Sequence, residues 1–69
     1  MTVAADAAPR YWEVFAARAD GGPIRHVGTV RAVGEKDAAV FAHAMYDEFP
    51  WREMFVVERD RIVPVIRPR

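Results

Sequence analysis

The 69 residues contain no cysteine and no serine. Without cysteine there is no disulfide to staple a small fold and no thiolate to hold a metal. With serine absent as well, Thr2 and Thr29 are the only aliphatic hydroxyls, which excludes serine- and cysteine-type nucleophilic catalysis. Histidine is limited to His26 and His43, and neither stands in an H-E-x-x-H or E-x-x-H spacing of the kind that zinc or a carboxylate-bridged di-iron centre needs. Gly21-Gly22 is not a G-x-G-x-x-G phosphate loop. No cofactor and no metal site are expected. No apolar run approaches the ~20 residues of a membrane-spanning helix. Met1 to Pro9 has neither the cationic start nor the apolar stretch of a signal peptide, so the expectation is a soluble cytoplasmic protein.

Net charge is also missing: ten basic residues balance ten acidic ones, and nothing steers the whole chain toward nucleic acid or an anionic membrane. The distribution is less even. Residues 34–49 carry Glu35, Asp37, Asp47 and Glu48 against Lys36 alone, whereas residues 50–69 carry five arginines against three acids. An acidic helix followed by a basic C-terminal third can orient a protein partner. The size points the same way, because a chain this short buries only roughly 60% of its unfolded surface and gains stability by association.

The pattern predicts a flexible tail over residues 1–10 and a single domain over 11–69. Tyr11 to Arg18 is aromatic and β-branched enough for a strand, with Tyr11, Glu13 and Phe15 on one face and Trp12, Val14 and Ala16 on the other. Large apolar groups on both faces suggest one face against a helix and the other covered by a partner. Ala19-Asp20-Gly21-Gly22-Pro23 is a turn, and Ile24 to Arg31 returns as the second strand of a hairpin. Gly28 inside that strand implies a bulge or a close backbone approach.

From Gly34 to Phe49 the period becomes helical, with Ala38, Phe41, Ala42, Met45 and Phe49 forming one apolar stripe toward the core. Pro50 stops the helix. Glu53 to Arg59 is a third strand, Asp60-Arg61 a tight turn, and Ile62 to Ile66 an optional fourth strand that Pro64 confines to an edge. The expected fold class is α+β: a two-layer β-β-α-β(-β) domain with one helix packed on a small antiparallel sheet.

Several side chains are candidates for contact or chemistry. His43 and Asp47, four residues apart on the helix, can be written as a base with an orienting acid or as a surface hydrogen-bonded pair. Arg25, His26 and Arg31 on the hairpin can grip an anion such as the phosphates of a CoA ester, or simply solubilise the strand. Tyr11, Trp12, Trp51 and Phe55 are the best anchors for a protein partner, since interface hot spots favour aromatics; the other reading of each is core packing.

The order of motifs is similar to that of a known family. Trp12-Glu13-Val14-Phe15 opens a strand and His26-Val27-Gly28-Thr29 lies on its hairpin mate; an alanine-rich helix follows (Ala38, Ala42, Tyr46), then Phe55-Val56-Val57. Over residues 11–66 this resembles the B subunit of the phenylacetyl-CoA ring-epoxidising oxygenase. The resemblance implies a non-catalytic assembly subunit of a bacterial multicomponent monooxygenase of aromatic catabolism. Its di-iron chemistry would sit on a separate ferritin-like helical subunit, with catalytic and structural helical subunits as partners. A homodimer through the edge of the sheet is compatible with it. A free-standing acyl-CoA-binding or regulatory module is the alternative.

Overall fold

A computed structural model describes residues 8–67 of the chain. The element order is β1 (Arg10–Arg18), β2 (Arg25–Ala32), α1 (Glu35–Met45) and β3 (Trp51–Glu58), with a short 3-10 turn at Arg59–Arg61. The sheet order is β2-β1-β3, and β1 is antiparallel to both neighbours. This is the expected α+β arrangement. Because β1 is flanked on both sides, β2 and β3 run parallel to each other, and α1 connects them while packing against both. The expected tail at residues 1–7 lies outside the described residues; Arg10 belongs to β1 and pairs with Glu58 at 3.1 Å.

Alternation along β1 sorts its side chains. Trp12, Val14 and Ala16 point toward α1 and are buried, while Tyr11, Glu13 and Phe15 point to the opposite, helix-free face. The core is small: Trp12, Val14, Val30, Ala32, Ala38 and Ala42, with Val27, Tyr46, Met54 and Val56 packed around it. Trp12 is therefore not a contact offered to a partner. It is only 7% exposed, and its indole N–H donates to the Ala32 carbonyl at 2.9 Å.

The helix differs from its expected form in length and in what it buries. It ends at Met45; the Tyr46 N–H still donates to the Ala42 carbonyl, and residues 46–49 form turns leading to Pro50. Of the expected apolar stripe only Ala38 and Ala42 are buried, whereas Phe41, Met45 and Phe49 are 47%, 58% and 42% exposed. Two alanines one turn apart let the helix settle closely on the sheet. Phe41, roughly 60° round the helix from Ala38, then falls on the flank.

Gly28 has the structural reason its place in a strand implies. The β1–β2 register shifts between Val14 and Phe15, which pair with Gly28 and His26 and leave Val27 as the extra residue of a bulge. The Tyr46 ring lies directly over Gly28; a Cβ built there would come within 1.8 Å of the Tyr46 hydroxyl and 2.5 Å of Cζ. Gly28→Ala must expel that ring, at a cost of about 1–3 kcal/mol. Urea unfolding is the check: the loss should nearly vanish when Gly28→Ala is made in a Tyr46→Ala background.

The optional fourth strand does not form among the described residues. After β3 the chain turns at Arg59–Arg61, and residues 62–67 pair with no strand. Pro64 has no N–H to give a ladder. Ile62 and Pro64 instead border the helix-free face of the sheet, while Val63, Val65 and Ile66 remain largely exposed. Among the described residues no helix is long and apolar enough to cross a membrane.

Candidate functional site

Two surfaces carry features that packing alone does not require. The first is the helix-free face, built around Glu13. As a mid-strand residue of the central strand, Glu13 is flanked by both neighbours, and it is the one buried charged residue described, at 8% exposure. Thr29, its register partner on β2, donates its hydroxyl to Oε1 at 2.6 Å. The bulge brings His26 to the same face, and Nε2 meets the same oxygen at 2.7 Å. From the turn after β3, Arg59 Nε donates to Oε2 at 2.5 Å. The hydroxyl of Thr29, opposed by burial and helped by Arg59 and His26, pulls the Glu13 carboxyl down from 4.5 to about 2.

Glu13 is thus ionised through the physiological range with both oxygens engaged. A carboxylate so held is a poor proton acceptor and a good structural tie, joining β1 to β2 and to the segment after β3. Aromatic rings surround it. Phe15 stacks on Phe55 with centroids 5.6 Å apart and meets the His26 ring at 5.2 Å. The Arg59 and Arg31 guanidinium groups lie 4.6 Å and 5.5 Å from the centre of the Tyr11 ring. A shallow groove of about 820 Å³ runs over this face, bordered by Phe15, His26, Arg59, Ile62, Pro64 and Arg67.

The second surface is the flank and C-terminal end of α1. Phe41 and Met45 stand one turn apart and exposed. Met45 shares a groove of about 360 Å³ with Val27, Tyr46, Phe49 and Trp51. Phe49 and Trp51 meet edge to face at 5.7 Å, and the Arg18 guanidinium covers Phe49 at 4.2 Å. Trp51 is half-buried, its indole N–H donating to the Tyr46 carbonyl.

The sequence-derived candidates separate accordingly. Tyr11 and Phe55 are exposed on the Glu13 face, at 47% and 41%. Trp51 lies at the end of α1, and Trp12 is core. Arg25, His26 and Arg31 do not converge. Arg25 pairs with Ala16 on the α1 side and borders a groove with Phe49 and Trp51, whereas His26 and Arg31 lie on the opposite face. There they pair with Phe15 and Tyr11, four residues apart on β1, or about 13 Å along the strand. Asp47 falls in the turn beyond the helix, and among the described residues His43 and Asp47 make no hydrogen bond with each other.

What the residue pattern alone did not single out is the Glu13, Thr29 and Arg59 grouping. Its one visible signal is an acid between Trp12 and Val14 in a strand otherwise rich in large apolar groups. Among the described residues no three His, Asp or Glu side chains converge as a ligand set for a metal ion. No protein-family model, no curated protein and no solved structure matches the chain.

Proposed function

We propose that this chain is a non-catalytic accessory subunit of a bacterial multicomponent di-iron oxygenase, acting in the cytoplasm in phenylacetyl-CoA ring epoxidation. It docks on helical, ferritin-like catalytic and structural subunits through the flank of α1. The observation that carries the docking half of this reading is the exposure of Phe41 and Met45, at 47% and 58%, on a helix that seats only two alanines in its own core. Large apolar groups grouped on one face of a soluble domain mark a protein contact. The class of partner comes from the resemblance of Trp12-Glu13-Val14-Phe15 and His26-Val27-Gly28-Thr29 to the oxygenase B subunit. The alternative, an acyl-CoA gripped jointly by Arg25, His26 and Arg31, is less well supported because the three side chains lie on two faces.

Co-expression of the chain with helical, ferritin-like catalytic and structural subunits of a di-iron oxygenase tests the reading. A stable complex carrying the chain through affinity and size-exclusion steps is expected. A chain that elutes alone while the helical subunits assemble without it would overturn the proposal.

A further inference from the structure

Arg59 is fixed in place with most of its donors still free. Its Nε–H donates to Glu13 Oε2 at 2.5 Å, and its guanidinium carbon lies over the Tyr11 ring, 4.6 Å from the centre. Glu13 is buried, and its other oxygen is taken by Thr29 and His26, so the carboxylate that anchors the arginine is itself immobile. Among the described residues the two η nitrogens of Arg59 make no hydrogen bond, and the side chain is 51% exposed. An arginine anchored through Nε alone keeps its two-pronged η edge for a ligand, and that edge matches the two oxygens of a carboxylate. Much of the ordering that a loose surface arginine undergoes on binding is already complete in the fold.

The groove of about 820 Å³ beside Arg59 has apolar walls in Phe15, Ile62 and Pro64. Phe15 is backed by His26 on β2 and Phe55 on β3, an aromatic row across all three strands. Around the groove three guanidinium groups, those of Arg31, Arg59 and Arg67, stand against two carboxylates, those of Glu13 and Asp60. Glu53, opposite Ala17, lies beyond the aromatic row. One positive charge is left to be matched, which suits a monoanion. Phe15 follows Glu13 by two residues on the same face, about 7 Å along the strand, so a single-ring acid can span from the arginine to the ring.

We propose that this groove binds a small organic monocarboxylate with an apolar ring or branched body. The carboxylate sits on the η edge of Arg59 and the body lies against Phe15. Glu13 touches no ligand atom; it is the positioning residue that holds the arginine. The site differs from one for an acyl-CoA, whose phosphates carry more negative charge than this face offsets, and Arg25 has no part in it. It is independent of the oxygenase reading, because it lies on the face opposite α1 and needs no helical partner.

Chemical-shift titration of the purified, nitrogen-15-labelled full chain tests the site with four probes. Benzoate carries both ring and carboxylate, and saturable binding with a Kd of about 1 mM is expected, moving the Arg59 Nε–H signal and the Phe15 amide. Benzamide, a ring without the charge, and acetate, a charge without the ring, should each bind at least tenfold more weakly. Inorganic phosphate should bind no better than acetate. Arg59→Lys keeps a cation and loses the fork, and should weaken benzoate at least tenfold. Glu13→Gln should weaken it severalfold in a chain whose spectrum stays dispersed; if that variant does not fold, Arg59→Lys carries the test. Shifts that fail to saturate at tens of millimolar benzoate overturn the proposal. So does benzamide or phosphate binding as tightly as benzoate, or an Arg59→Lys chain that binds benzoate like the parent.

Discussion

Replacing Trp12 with alanine is expected to leave the domain without a cooperative thermal transition. Trp12 is the largest side chain in a core otherwise made of valine and alanine, clustered with Val14, Val30, Ala32, Ala38 and Ala42. Truncating a buried tryptophan costs about 3–5 kcal/mol, through lost transfer energy and the cavity left behind. A domain of this length holds only ~3–10 kcal/mol in total. The substitution also orphans the Ala32 carbonyl that accepts the indole N–H. Trp12→Phe keeps most of the volume and loses that hydrogen bond with a small part of the ring; a deficit of about 1–2 kcal/mol is expected. Circular dichroism against temperature decides the matter. An alanine variant that melts cooperatively within a few degrees of the parent would show that Trp12 is not the centre of the core.

Substitution of Glu13 carries the next largest effect. Glu13→Ala removes the acceptor for Thr29, His26 and Arg59 at once. His26 and Arg59 are about half exposed and regain water, so the full penalty for orphaning a buried charge does not apply. A loss of about 2–3 kcal/mol is expected. The pH dependence has a definite sign. Folding lowers the Glu13 pKa from 4.5 to about 2, so its contribution is complete above pH 4.5 and is lost as the pH falls to about 2. That contribution is at most about 3 kcal/mol. Other carboxylates titrate in the same window, and the comparison that isolates Glu13 is with Glu13→Gln. Urea midpoints of the parent should fall more steeply between pH 4.5 and 2 than those of the variant; parallel curves would remove Glu13 as the tie between the strands.

These two residues are neighbours, and they show what was legible in the sequence. The order β-β-α-β followed from local signals: β-branched and aromatic runs, the Gly21-Gly22 turn, and Pro50 after a helical period. Gly28 announced a bulge or a close approach, and the structure has both. Periodicity failed where the contact depends on size. It assigned Phe41, Met45 and Phe49 to the core, whereas the helix seats itself on Ala38 and Ala42 and leaves the larger groups outside. The Glu13 tie was invisible for a different reason. Its three partners are 13, 16 and 46 residues away, and only the strand register and the turn after β3 bring them together. Once seen, it explains part of the motif that suggested the oxygenase B subunit. Trp12 anchors the core, Glu13 holds His26 and Thr29, and Gly28 between them admits Tyr46.

Two polar substitutions on α1 probe most directly whether the exposed flank of the helix is the proposed docking surface. Phe41→Ser with Met45→Ser leaves the buried core of Trp12, Val14, Val30, Ala32, Ala38 and Ala42 intact, so the isolated chain should still melt cooperatively. Affinity for the helical oxygenase subunits, measured by titration calorimetry, should fall at least a hundredfold. Binding by the double variant as tight as that of the parent would mean that the flank of the helix is not where the partner sits.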